Sequence, residues 1–227
     1  MKTMRIVVAI AVLTVMAAAL PAGAATVSYS DTILSKTTNW LDSFTLSKFD
    51  GSLGTLNSIT LTLQGTVLGD AKFESLDASP TTVTLNLTST LILKRPDGST
   101  LVQVIPLVST TDNASAFDTA INFGGTSGKT YTGLTNTITD SFTSPLPASD
   151  LALFTGALGD TIILPITATG YSTGSGSGNL ITQFSTNASA YATVVYDYTP
   201  VPEPSSMVAL LAGMGGLAGL IRRRRNR

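Results

Sequence analysis

The residues of this chain best placed for chemistry are ones that something else would act on. Val201-Pro202-Glu203-Pro204 is a proline-flanked glutamate, and an apolar stretch from Met207 to Ile221 follows it. Four consecutive arginines, Arg222, Arg223, Arg224 and Arg225, come next. Proline lacks an amide proton and restricts the residue before it to extended backbone, so Pro200, Pro202 and Pro204 keep this segment out of a helix and open to a processing enzyme. Helix can begin only after Pro204, with Ser205 and Ser206 as N-cap residues. Ser205 to Ile221 carries no charge over 17 residues. At about 1.5 Å per residue that is roughly 25 Å, the short end of a bilayer span. Glycines 213, 215, 216 and 219 are tolerated in such a helix. The basic tail, 222–227, with Arg222, Arg223, Arg224 and Arg225 as its stop-transfer cluster, stays cytoplasmic by the positive-inside rule, which places everything upstream outside.

Proline triplet, membrane helix and arginine-rich end, in that order, resemble a PEP-CTERM sorting signal. The resemblance implies recognition by an exosortase, a membrane cysteine transpeptidase, with cleavage near Pro202, Glu203 and Pro204 as recognition residues. It also implies a Gram-negative-type envelope, often one that makes exopolysaccharide.

The other end carries a matching signal. Lys2 and Arg5 form a basic region, Ile6 to Leu20 an apolar one, and Ala22-Gly23-Ala24 a small-x-small site for signal peptidase. Cleavage is expected after Ala24, or after Ala25. The expected organisation is therefore a signal peptide over 1–24, a secreted domain over 25–199, and a sorting signal over 200–227 with a transmembrane helix at 205–221.

Chemistry within the domain is limited by what is missing. The sequence has no His and no Cys. That excludes Ser–His–Asp and Cys–His nucleophiles and His- or thiolate-bound zinc, leaving carboxylate pairs or Ser–Lys chemistry. No enzyme, cofactor or metal site is expected. Between Ala25 and Pro200, six Lys or Arg face 13 Asp or Glu, a net of −7. A domain so poor in cations is not expected to bind nucleic acid. Without disulfides, its stability must come from its core.

The elements that would position any site read as strands. Ile59-Thr-Leu61-Thr-Leu63 and Val83-Thr-Leu85-Asn-Leu87, with Leu91 and Leu93 in the same parity, alternate apolar and hydroxyl side chains. Period two marks half-buried strands, and β-branched Thr suits their polar face. Arg95-Pro96-Asp97-Gly98-Ser99 predicts a hairpin turn into Leu101–Ile105. Gly69-Asp70, Gly124-Gly125 and Gly174–Gly178 predict loops, the last a flexible one and no phosphate cradle, since no Lys follows. Tyr191 to Tyr198 predicts a last strand with Val194, Tyr196 and Tyr198 on one face. Ser149 to Leu158 has room for a helical turn or two. The expected fold is all-β, a two-sheet antiparallel β-sandwich of jelly-roll type, followed by a single C-terminal transmembrane helix.

Val27-Ser-Tyr-Ser-Asp31, Asn39-Trp40, Lys48-Phe-Asp50, Leu76-Asp-Ala-Ser-Pro80, Arg95-Pro-Asp-Gly98, Phe123-Gly-Gly-Thr-Ser-Gly128 and Leu180-Ile-Thr-Gln-Phe184 resemble the choice-of-anchor E type of secreted bacterial domain, over Thr26 to Tyr198. That resemblance implies export and a single domain, and assigns no activity.

Ligand sites are weighed against packing. Trp40 could stack on a sugar, but a core or edge role is favoured. Tyr191, Tyr196 and Tyr198 could form an aromatic platform, with packing at the membrane-proximal end favoured. Asp70, Glu74 and Asp77 could offer oxygens to Ca²⁺, though a solvated acidic loop is favoured and the spacing is not that of an EF-hand. Sequons at Asn86, Asn113 and Asn187 are expected by chance in so Thr- and Ser-rich a chain. The function read from this sequence is a non-catalytic structural or adhesive protein of the bacterial cell envelope or extracellular matrix. It would be exported, inserted in the inner membrane with its domain in the periplasm, processed, and moved to the surface or matrix. The alternative is a carbohydrate-binding module for the cell's own exopolysaccharide. Partners would be signal peptidase, exosortase, membrane lipid before processing and, for the alternative, exopolysaccharide.

Overall fold

The computed structural model describes residues 23–144, 148–176 and 178–201, together with Gly213. The expected signal-peptide residues up to Ala22, the triplet Pro202-Glu203-Pro204 and the expected membrane helix lie outside the described residues. So does the expected stop-transfer cluster of Arg222, Arg223, Arg224 and Arg225. Among the described residues no helix is long and apolar enough to cross a membrane.

Two antiparallel sheets pack face to face. The first contains β1 (Ala25–Thr37), β4 (Gly54–Ser75), β8 (Gly128–Ser144) and β12 (Leu180–Pro200), in the order β1-β12-β4-β8. The second is built around β5 (Thr81–Lys94), which pairs with β10 (Thr161–Gly170) and β11 (Thr173–Ser175) on one side. On its other side lie β6 (Thr100–Val104) and β7 (Leu107–Ala114), and β2 (Trp40–Ser47) pairs with β10 at the edge. Pro106 separates β6 from β7, since it has no N–H for the ladder, and its carbonyl instead accepts from the amide of Ser89. A parallel two-residue pair, β3 (Phe49–Asp50) with β9 (Thr155–Gly156), and the short helix α1 (Ala148–Phe154) close one end.

Alternation places the core as the sequence predicts. Ile59, Leu61 and Leu63 of β4, and Val83, Leu85, Leu87, Leu91 and Leu93 of β5, are all buried between the sheets. The Arg95–Ser99 turn forms, with Gly98 at φ 89° and its N–H donating to the Arg95 carbonyl. The sheets approach closely at Gly65, where a Cβ would stand 2.5 Å from Val104 Cγ2. Outward positions carry hydroxyl ladders: Thr66 meets Thr137 at 2.7 Å, Thr84 meets Thr111 at 3.2 Å, and Thr82 donates to Asn113 at 2.9 Å.

One predicted loop is strand instead, and a second is strand in part. Gly69-Asp70 runs through the middle of β4, because a side chain at Gly69 would collide with the Ser185 carbonyl of β12; the glycine permits close pairing and makes no turn. The irregularity lies opposite, where β8 carries one extra residue around Gly133 (φ 67°) and the Gly133 N–H donates to Asp70 Oδ1 at 2.9 Å. Thr173–Ser175, in the Gly174 run, pairs with β5 as β11.

The long strands run between two poles. One pole holds Ala25, which pairs with Tyr198, the β3–β9 pair, the Arg95–Ser99 turn and the exit of β12. The other holds residues 76–80, 115–127, 176 and 178–179. β12 runs to Pro200, which pairs with Gly54, and the Val201 N–H still donates to the Leu53 carbonyl at 3.0 Å.

Candidate functional site

Glu74, Asp70 and Asp77 do not form a solvated acidic loop. Glu74 sits on β4 and is fully buried, because the 115–127 segment folds over it. Its Oε2 accepts the backbone N–H groups of Phe123 at 2.6 Å and Asn122 at 3.2 Å, and its Oε1 accepts the Ser127 hydroxyl at 2.6 Å. Gly128 gives the carboxylate room, as a Cβ there would lie 2.4 Å from Oε2. Lys72 lies over the Phe123 ring at 4.5 Å. Asp77 holds a different turn, accepting the Asn179 N–H, while its carbonyl accepts from Phe117. Glu74 and Asp77 thus each brace their own loop at the far pole, while Asp70, exposed on β4, holds the Gly133 bulge of β8. Among the described residues no three potential ligand residues gather as a metal site.

The three tyrosines do not make a platform. Period two puts Tyr191 on the outer face and Tyr196 on the inner one, so Tyr191 is 41% exposed and Tyr196 is fully buried. Tyr196 joins Tyr29, Phe49 and Phe154 in a tilted aromatic cluster, with Phe49 also against Tyr198 at 5.1 Å between ring centres. Burial pushes the Tyr196 phenol up, and its hydroxyl donates to the Ser47 carbonyl at 2.9 Å. Trp40 packs against the core edge with Lys36 over its ring at 4.7 Å, the packing role favoured for it.

Charge is organised as braces. Arg95 and Asp150 make a two-pronged pair, Nε to Oδ1 at 2.8 Å and Nη2 to Oδ2 at 2.9 Å, with Asp150 almost fully buried. This ties the hairpin turn to α1, and the Asp150 carboxylate raises the Arg95 pKa. Lys129 and then Tyr131 donate to Asp112, holding its carboxyl below the ordinary range. Sequence reasoning took Arg95 only as a turn residue and passed over Asp150 and Asp112, because each partner is remote in sequence.

Shallow clefts indent the described surface. One of about 360 Å³ lies on the outer face of the first sheet, between Leu34, Gln64, Thr66 and Tyr191. A second of about 200 Å³ is lined by Asp70, Lys72, Thr130 and Phe184, and a third of about 390 Å³ by Asn39, Gly170, Phe184 and Thr186. Each offers a single aromatic ring among hydroxyl groups.

Of the expected signal-peptidase residues, Ala24 is exposed and directly precedes β1. Residues 200–225 match the family model described as the PEP-CTERM protein-sorting motif, and the match takes in the triplet and all four arginines, Arg222, Arg223, Arg224 and Arg225. That motif implies an exported, cell-surface protein sorted and processed by exosortase. No curated protein matches the chain. Among solved structures, it is 14% identical to a T=1 particle derived from infectious bursal virus, covering 80% of this chain and 37% of that one at a TM-score of 0.22. A second, infectious bursal disease virus Gx strain, is 13% identical over 81% of this chain and 42% of that one, at a TM-score of 0.19. The chain spans less than half the length of these structures, and likeness at such scores carries no inference about fold or role.

Proposed function

We propose that this protein is a non-catalytic structural or adhesive component of the cell envelope or extracellular matrix, delivered there by signal-peptidase and exosortase processing. The observation that carries the reading is the sorting motif at 200–225, starting where the last strand of the sandwich ends. Pro202, Glu203 and Pro204 serve as recognition residues and 205–221 as the membrane helix. Arg222, Arg223, Arg224 and Arg225 serve as the cytoplasmic stop, and Ala22 and Ala24 flank the first cleavage. The strand order supports a jelly roll: taking β6–β7 and β10–β11 each as one strand, first, eighth, third and sixth lie in one sheet, with second, seventh, fourth and fifth in the other. The quoted strings keep the choice-of-anchor E type as the domain assignment.

The outer faces favour the structural role over sugar binding. Hydroxyl ladders cover them, and a sugar-binding groove would present two or more coplanar exposed rings where each described cleft has one.

The deciding experiment is intact mass and membrane fractionation from the native host, with wild type beside a Pro202→Ala, Glu203→Ala, Pro204→Ala triple variant. The expected wild type ends near Val201 and leaves the inner membrane, while the triple variant keeps its arginine tail there. If both keep the tail and stay, the segment is a stop-transfer anchor and the protein a membrane-tethered periplasmic one.

A further inference from the structure

The fold continues up to the sorting motif. Val201 is hydrogen-bonded to Leu53, and three residues, 202–204, separate it from the uncharged stretch that starts at Ser205. Even fully extended, the Cα path from Val201 to Ser205 is at most about 14 Å. The headgroup layer on one side of a bilayer is roughly 5–8 Å deep. While the tail is in place, the pole at which β12 exits is therefore held at the lipid surface.

That pole has the side chains for such contact. Leu158, in the turn between β9 and β10, is 86% exposed, Val201 57% and Leu53 40%. They share one end of the domain, since the Val201 N–H donates to the Leu53 carbonyl and a side chain on Gly51 would touch Thr155 and Gly156, two residues before Leu158. Exposed apolar groups also occur elsewhere, at the far pole as at Ile121 and beside the middle of β5 as at Tyr171, so exposure alone does not select a face. The tether does. Charged groups at the pole, Lys48, Lys94 and Arg95 against Asp50, Asp97, Asp150 and Asp160, give no cationic excess for anionic headgroups.

We propose that the β12-exit pole is a lipid-seating surface: Leu53, Leu158 and Val201 insert at the headgroup–acyl boundary of the bilayer and fix the unprocessed domain upright. The proposal rests on reading 205–221 as a membrane span. Insertion is driven by apolar area rather than charge, so it works on zwitterionic lipid. Upright seating also leaves residues 115–127 and the Glu74 clamp facing away from the membrane.

The absence of cysteine makes the test direct. Full-length chain with Leu158→Cys, Leu53→Cys or Ile121→Cys carries one environment-sensitive dye each and is reconstituted into phosphatidylcholine vesicles containing brominated acyl chains. Flotation with the vesicles is measured first, then quenching. The expected result is flotation of all three, with the Leu158→Cys and Leu53→Cys labels quenched at least about twofold more than the Ile121→Cys label. Chains that float while all three labels are quenched alike overturn the seat and leave the span intact. Chains that do not float overturn the span reading itself, and the seat with it.

Discussion

Glu74 on β4 and Phe123 in the β7–β8 connection are joined by a 2.6 Å hydrogen bond from the Phe123 amide to a fully buried carboxylate. Phe123 adopts a positive φ of 55°, and this bond helps hold it there.

Replacing Glu74 by Leu strands the Phe123 and Asn122 N–H groups in a dry site. We expect a loss of about 3 kcal/mol, from roughly 1–3 kcal/mol per orphaned group. Glu74→Gln should cost less, about 1–2 kcal/mol. One amide oxygen can still accept both backbone bonds, and the amide nitrogen can donate to the Ser127 hydroxyl. Urea denaturation of the secreted domain ranks the two, and equal losses would show that the hydrogen bonds are not what matters.

The Arg95–Asp150 pair offers a second test. Asp150→Ala leaves a partly buried guanidinium without its partner and should cost about 3 kcal/mol, whereas replacing both residues with apolar ones of similar size should cost much less. A double-mutant cycle on denaturation midpoints separates these, and the cycle collapses if the two single losses simply add.

Stability should be flat through neutral pH and fall in acid. No histidine is present to titrate between about pH 5 and 8. Asp42 and Asp112 both lie below the ordinary 3.8, Asp42 held mainly by Lys36 and Asp112 mainly by Lys129. A depressed folded pKa means stability that is present above 3.8 and lost as pH falls toward the folded value. Thermal melts across this range should show the loss, and Asp112→Asn should flatten it. At the alkaline end the sign reverses, because the raised Tyr196 phenol favours folding only while the unfolded phenol stays neutral, below about pH 10.

Processing should be limited by how closely the sorting motif abuts the sandwich. A transpeptidase takes its substrate as extended chain on both sides of the cut, and the residues upstream of Pro202 are engaged with Leu53 and Gly54. A flexible Gly-Ser insertion between Val201 and Pro202 should speed loss of the tail in a pulse-chase, by about threefold or more if fraying of one or two hydrogen bonds is the obstacle. An unchanged rate would mean that the strand end already opens freely.

Alternating patterns made the strands legible, and Arg95-Pro-Asp-Gly-Ser made a hairpin legible, because both signals are local. What could not be read locally was misread. Gly69 looks like a turn in sequence, and only its neighbour Ser185 on β12 explains why glycine is required within a 22-residue strand. Glu74 looks solvated until residues 115–127, some fifty positions on, close over it. The same limit applied to Asp150 and Asp112, while the packing favoured over a tyrosine platform holds for Tyr196 and Tyr198, and Tyr191, five residues from Tyr196 and so of opposite parity, faces outward.

β12 lies between β1 and β4, and Ala25 finds its partner only in Tyr198. The first strand therefore waits for the last, and a sheet with so long a loop to close assembles slowly. On the membrane span proposed for 205–221, a domain exported as open chain would keep its N-terminal strand exposed until the final strand had emerged. The next residues to follow would be those of the sorting motif, so arrest in the membrane and closure of the sandwich would be events of the same moment. On that reading the tail would be a clock as well as an address, holding the last strand at the membrane long enough for the first to capture it.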